Sequence, residues 1–133
     1  ILGGGLVGSE VAIYLDMIGK DVTVVEMKDT WASDVYWMHK VARDKYTRDS
    51  RIDIKVNTTA KEITDTGIVC NTPDGEILIE ADTVLLAAGM KADRASADGF
   101  LNTAPRVFEI GDAIKAGRVV EAVKLGYYRA LDI

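Results

Sequence analysis

A glycine-rich stretch, GGGLVGSE at residues 3–10, constrains the fold more than any other feature of this chain. Gly3, Gly5 and Gly8 match the pattern G-x-G-x-x-G. In that pattern the first glycine permits a tight turn, the second lets a pyrophosphate approach the backbone, and the third lets a helix pack closely on a strand. Free N–H groups at the start of the following helix can hold phosphate oxygens. The stretch therefore predicts a dinucleotide-binding turn, with a purely structural turn as the alternative.

The residues after the turn predict a β-α-β unit. Apolar side chains recur with helical spacing from Leu6 to Ile18, and Gly19 is a natural stop. The β-branched run Val22–Glu26 then predicts a buried strand, so the connection implies a parallel sheet. The strand ends in an acid, Glu26, where a carboxylate can accept hydrogen bonds from the adenosine ribose.

Glu26 also predicts the choice of cofactor. A carboxylate at this position repels a ribose 2′-phosphate, and neither Met27 nor Lys28 offers the bidentate fork of an arginine. We therefore expect NAD(H) in preference to NADPH, although the cation of Lys28 leaves the second possibility open.

The middle of the chain predicts one more helix and several strands. A helix is expected over 34–48, capped by Ser33, and its inward face is expected to comprise Val35, Met38, Val41, Ala42 and Tyr46. IDIKVN predicts a strand, and KEITDT, GIVCNT and EILIE predict an antiparallel meander. TVLLAAG, residues 83–89, is a fully apolar run suited to the middle of a parallel sheet.

The last part of the chain begins with a polar connector without clear periodicity. RVFEIGDA predicts a short strand, and Val119 to Leu131 predicts an amphipathic helix. We expect a dinucleotide-binding domain over 1–91, followed by a connector and a strand-helix segment over 92–133. The fold class is therefore α/β, a Rossmann-like three-layer domain with a small parallel sheet and an antiparallel three-stranded β-meander.

Composition excludes several classes of function. The 133 residues carry a formal net charge of −5 and a pI of about 4.8, which argues against binding to nucleic acid. No apolar run approaches the length of a membrane span. The single cysteine, Cys70, excludes an internal disulfide and fits a reducing, cytoplasmic setting.

Three polar or reactive features are interpreted as structural. His39 has no partner at metal-ligand spacing, so no metal site is expected. Cys70 alternates within a predicted strand and is expected to be a small core residue. Arg43 belongs to a run of alternating charges that is typical of a solvated helix face.

The ordered set of motifs resembles a known family. GGGLVGSEVA, VTVVEM, the meander, LLAAGMKAD and VFEIGDA follow one another as in pyridine-nucleotide-dependent flavoprotein reductases with two dinucleotide-binding domains. AAGMKAD and the final IGDAIKAGRVVEAVKLGYYRALDI resemble the C-terminal region of NADH:flavin oxidoreductases related to old yellow enzyme, the 2,4-dienoyl-CoA reductase and enoate reductase type.

This resemblance implies a division of roles. It places Glu10 near the nicotinamide side, Ala88 and Gly89 at the crossover toward the flavin domain, and Gly111-Asp112 at the ribityl chain of FAD. The complete set of expected cofactor-binding residues is Gly3, Gly5, Leu6, Val7, Gly8, Glu10, Glu26, Met27, Ala88, Gly89, Gly111 and Asp112. No catalytic residue is expected, because nicotinamide and flavin carry the redox chemistry.

The resemblance also implies that the chain is an excised portion of a larger oxidoreductase, cut just inside its first strand and inactive alone. The expected partners are the FAD-binding domain, an FMN-bearing barrel and, through the C-terminal helix, a second copy of the chain. Two alternatives stay open: a non-catalytic NAD(H)-sensing module and an S-adenosylmethionine-dependent methyltransferase, which also pairs a glycine loop with an acid.

Overall fold

The glycine turn leads directly into the first helix, α1 (Leu6–Met17), in the computed structural model, which describes residues 1–133. The chain then reverses at Gly19, whose φ is +82°, and enters β1 (Thr23–Val25). β1 pairs in parallel with β2 (Asp53–Lys55), with Val24 opposite Ile54. The predicted β-α-β connection and its parallel sheet are thus present.

Leu2 extends this parallel sheet by a single residue. It forms parallel bridges to Val25 on one side and to Leu86 on the other. Leu2 N–H donates to Leu85 O at 2.8 Å, and Ala87 N–H donates to Leu2 O at 2.8 Å. The segment 83–89 was predicted as a buried strand, and this is wrong in part: it makes only the bridge at Leu86, whose side chain is 70% exposed.

The predicted meander forms a separate antiparallel sheet. Its strands are β3 (Thr59–Thr64), β4 (Gly67–Thr72) and β5 (Gly75–Glu80), in the order β3-β4-β5. A register shift between Ala60 and Glu62 interrupts the β3-β4 ladder. Ile68 and Cys70 of β4 are buried with Val25 of β1, so the meander packs on the parallel sheet. Cys70 is the small core residue that its pattern predicts.

The helix expected over 34–48 is shorter than predicted and has a different inward face. α2 spans Trp37–Arg48 with Tyr36 as its N-cap, so Ser33 does not cap it and Val35 lies outside it. The four expected inward residues that lie within α2 are all exposed, namely Met38, Val41, Ala42 and Tyr46. The buried residue of α2 is Arg43, which corrects its assignment to a solvated face.

The structure divides into two compact units, Ile1–Gly89 and Met90–Ile133. The second unit contains a short helix, α3 (Arg94–Asp98), which the connector's lack of periodicity did not predict. Residues 106–110 form no strand, contrary to expectation, and lead into a 3₁₀ turn at Gly111–Ala113.

The last helix of the second unit, α4, spans Val119–Leu131 as predicted. Its apolar stripe is largely exposed, with Val123 and Tyr127 each 63% accessible. None of the helices in the chain combines the length and apolar character that crossing a membrane requires. The predicted fold class, with a small parallel sheet and an antiparallel meander, is confirmed.

Candidate dinucleotide site

Two glycines of the turn are required by close backbone contacts. Gly3 has a φ of +103°, and a Cβ atom there would overlap the carbonyl oxygen of Ala87. A Cβ atom on Gly8 would overlap the carbonyl oxygen of Gly3, so only glycine lets α1 approach the turn this closely. The first and third positions of the pattern are therefore set by packing within the protein.

The second glycine of the pattern differs from the other two. Gly5 is the N-cap of α1 with a φ of −73°, a value that any residue adopts. The three atoms nearest to a Cβ placed on Gly5 all belong to the carboxylate of Asp34, the closest at 3.4 Å. The absence of a side chain at Gly5 thus leaves the N-terminal end of α1 accessible, where Leu6 and Val7 begin the first turn.

Glu26 lies beside the turn and is buried, with 8% of its surface exposed. Its Oε2 accepts a hydrogen bond from Gly4 N at 2.7 Å, and its Oε1 accepts one from Lys28 N at 2.9 Å. Such charge-assisted bonds are stronger than neutral ones. Glu26 therefore fixes the glycine turn, and each of its oxygens retains capacity to accept another hydrogen bond.

The residues after Glu26 form the exposed rim of the site. Met27 is 68% exposed. Lys28 places its ammonium 3.3 Å from Ser33 Oγ. Lys28, whose charge leaves NADPH possible as the cofactor, therefore contacts a hydroxyl of the loop that follows β1.

The loop after β1 also contacts the glycine turn through Ala32, a contact that the sequence does not predict. Ala32, with a φ of +49°, is buried, and its N–H donates to Gly4 O at 2.5 Å. Ala32 O accepts from Arg43 Nη1 at 3.2 Å, and the Arg43 guanidinium lies 5.0 Å from the ring centre of Trp31. Nothing in the local sequence identifies Arg43 for this role, because its partners come from tertiary packing.

The remaining predicted residues are distributed over both units. Ala88 lies beside the turn, with its Cα 3.1 Å from a Cβ placed on Gly3, and Gly89 ends the first unit with a φ of +89°. Glu10 is exposed and lines a cavity of about 240 Å³ between α1 and α2.

The predicted flavin-contact residues Gly111 and Asp112 belong to the second unit. There Asp112 Oδ1 accepts a hydrogen bond from Gly117 N at 3.1 Å. The structure thus brings together Gly3, Gly5, Gly8, Glu26 and Ala88, and places Gly111 and Asp112 in a unit of their own. No group of three or more His, Cys, Asp or Glu side chains is arranged to hold a metal ion.

Comparison with known proteins decides the family. Residues 1–126 match the model of the family described as pyridine nucleotide-disulphide oxidoreductase. The chain belongs to this family. The match leaves the methyltransferase alternative without support.

Individual relatives of this family member are reductases and oxidases. A cinnamate reductase of Clostridium sporogenes is 32% identical over 137 residues, covering 100% of the chain and 20% of the relative. An NADH oxidase of Thermoanaerobacter brockii is 33% identical over 138 residues, covering 100% of the chain and 21% of the relative. The chain thus spans about a fifth of the length of these relatives.

The fold is also found in a solved structure. A 2-naphthoyl-CoA reductase complex superposes with a TM-score of 0.86 at 32% identity, over 99% of this chain and 20% of that one. An engineered water-forming NADPH oxidase, solved with NADPH, has a TM-score of 0.60 at 21% identity, which shows the fold alone. The proteins of this family are NAD(P)H- and FAD-dependent oxidoreductases, which confirms the cofactor prediction at the level of the family.

Proposed function

We propose that the chain binds NADH at the glycine turn and serves an oxidoreductase in which NADH passes hydride to FAD. The observation that carries the proposal is the pairing of Gly4 N with Glu26 Oε2, which fixes a carboxylate beside a helix whose N-cap is glycine. A dinucleotide needs both features, because its phosphates require backbone N–H donors and its ribose requires an acceptor.

Different residues at the turn would bind different parts of the dinucleotide. Gly5 leaves room for the pyrophosphate, and the first amides of α1, from Leu6 to Gly8, would donate to it. Glu26 would accept from the ribose hydroxyls, and its buried charge disfavours a 2′-phosphate. Bound NADH supplies the hydride. The protein orients the cofactor, and this transfer needs no acid-base pair.

We assign the second unit to the flavin side of the same reaction. Asp112 would contact the FAD ribityl chain, on the strength of the motif it shares with flavoprotein reductases, and the proposed boundary lies between 1–91 and 92–133. The cinnamate reductase and the NADH oxidase align with the whole chain over about a fifth of their own length. This coverage supports a parent longer than the chain. The motif resemblance supports a parent related to old yellow enzyme, in which FAD-binding and FMN-bearing domains would be required for turnover.

The test is calorimetric titration of the purified chain with NADH and NADPH, with Glu26→Ala and Gly5→Ala alongside. We expect saturable binding of NADH, weaker binding of NADPH, and loss of NADH binding in both variants. Glu62→Ala is the control, since Glu62 is an exposed carboxylate of β3. If the original chain does not bind NADH although its circular dichroism spectrum shows the expected helix and strand signal, the proposal is overturned.

A further inference from the structure

A second carboxylate stands at the glycine turn. Both oxygens of Asp34 lie 3.4 Å from the position that a Cβ atom on Gly5 would occupy. Gly5 is the glycine of the pattern that a pyrophosphate must approach. The space next to Gly5 is thus bordered by an anionic group of the protein itself.

The loop that carries Asp34 is held in this position by buried contacts. Ala32, two residues earlier, donates its N–H to Gly4 O and accepts at its carbonyl from the buried guanidinium of Arg43. The stacking of Arg43 over Trp31 fixes the start of the same loop. Asp34 itself is exposed, whereas Ala32 and Arg43 are buried.

We propose that Asp34 is an electrostatic gate of the phosphate subsite, occupying the approach to Gly5 in the free protein and leaving it when a dinucleotide binds. This inference rests on the proposed function, because it concerns the same site. A pyrophosphate placed at Gly5 would meet the Asp34 carboxylate at close range, and like charges at that distance repel even in water. The affinity for NADH is then limited by the displacement of Asp34.

The charges around the gate make the effect specific to phosphate. Glu26 accepts hydrogen bonds from Gly4 N and Lys28 N, and the Lys28 ammonium contacts Ser33 Oγ. Removal of the Asp34 charge therefore changes the subsite at Gly5 without removing a group that binds the ribose. Since Asp34 is exposed, the repulsion must weaken as ionic strength rises.

The experiment compares Asp34→Asn with Asp74→Asn, which removes the same charge from the exposed β4-β5 turn. NADH and adenosine, which has no phosphate, are titrated into each variant and the original chain at low and high ionic strength. We expect Asp34→Asn to bind NADH about tenfold more tightly at low salt. The gain should shrink at high salt and be absent for adenosine, and Asp74→Asn should bind like the original chain.

The outcomes separate this inference from the proposed function. If the original chain binds NADH and Asp34→Asn binds it with equal or lower affinity, the gate is overturned while the proposed function stands. An equal gain in Asp74→Asn, or an equal gain for adenosine, also overturns it, because the effect would then arise from net charge or from loop structure. If neither the original chain nor Asp34→Asn binds NADH, the proposed function itself fails.

Discussion

Gly4 donates its backbone N–H to Glu26 Oε2 at 2.7 Å, across 22 positions of sequence. The contact joins the glycine turn to the end of β1 through a side chain that is itself buried. The carboxylate proposed to recognise the ribose is therefore also a structural support of the turn that would bind the phosphates. Variants at Glu26 should affect the stability of the chain as well as its affinity for a dinucleotide.

Glu26→Gln tests this double role. Glutamine keeps one acceptor oxygen, but its amide nitrogen cannot accept from Gly4 N or Lys28 N, so one buried hydrogen bond is lost. We expect the free energy of unfolding to fall by about 1–3 kcal/mol, measured by urea denaturation. Glu62→Gln, on the exposed side of β3, should change it by less than about 0.5 kcal/mol. Equal stability of the two variants would show that Glu26 does not support the turn.

Gly8→Ala and Gly5→Ala should separate folding from binding. A methyl group on Gly8 overlaps the Gly3 carbonyl, so Gly8→Ala should destabilise the chain by about 1–3 kcal/mol or more. Gly5→Ala adds its methyl group at an ordinary φ and at van der Waals distance from the exposed Asp34 carboxylate, so the chain should keep its melting temperature while losing NADH affinity. The measurements are thermal unfolding and calorimetry on both variants. Equal loss of stability in the two would contradict the geometry of the turn.

Arg43→Met should loosen the loop that carries Asp34. The variant removes the buried hydrogen bond to Ala32 O and the stacking on Trp31, at a cost of about 1–3 kcal/mol in unfolding free energy. Arg48→Met, at the exposed end of the same helix, is the matched control and should be nearly neutral. Iodide quenching of tryptophan fluorescence should increase only in Arg43→Met, since Trp31 is partly buried and Trp37 is already 74% exposed. Equal quenching in both variants would count against the contact.

Cys70 should be protected from thiol reagents in the folded chain. It is fully buried, and burial raises the pKa of its thiol, so less of the reactive thiolate is present at neutral pH. Alkylation should be slow in native buffer, should accelerate in urea, and should reach its half-maximal pH above the usual value for a cysteine. Asn71→Cys in a Cys70→Ala background places a thiol at the neighbouring exposed position and should react rapidly. Rapid alkylation of Cys70 in native buffer would show that the cluster of Val25, Ile68 and Cys70 is accessible to the reagent.

The elements that local patterns specify were predicted closely. α1, the meander and α4 each follow from apolar periodicity bounded by turn residues, and α4 has its predicted ends at Val119 and Leu131. The glycine turn and Glu26 were predicted as parts of one site, and the structure joins them by a hydrogen bond. Their assignment to a bound cofactor stays a prediction.

Features that depend on distant partners were not predicted. The burial of Arg43 follows from its contacts with Ala32 and Trp31, which no helical periodicity reveals. Residues 83–89 have the composition of a central strand, yet only Leu86 pairs. Its partner is Leu2, a single residue that also bridges to Val25 of β1, so no longer strand is available for pairing. VFEIG, whose composition also favours a strand, forms no paired strand in the second unit.

The bridge between Leu2 and Leu86 has a consequence for the order of folding. It joins residues 84 positions apart, whereas the meander strands pair across short turns. Closing the longer loop costs more chain entropy, and contacts of high sequence separation form slowly. Gly3 meets Ala87 through this same closure, so the glycine turn acquires its final shape only when the two ends of the first unit have come together. The proposed ability to bind a dinucleotide would then arise late on the folding pathway, and nascent chains that have completed only the meander would lack it.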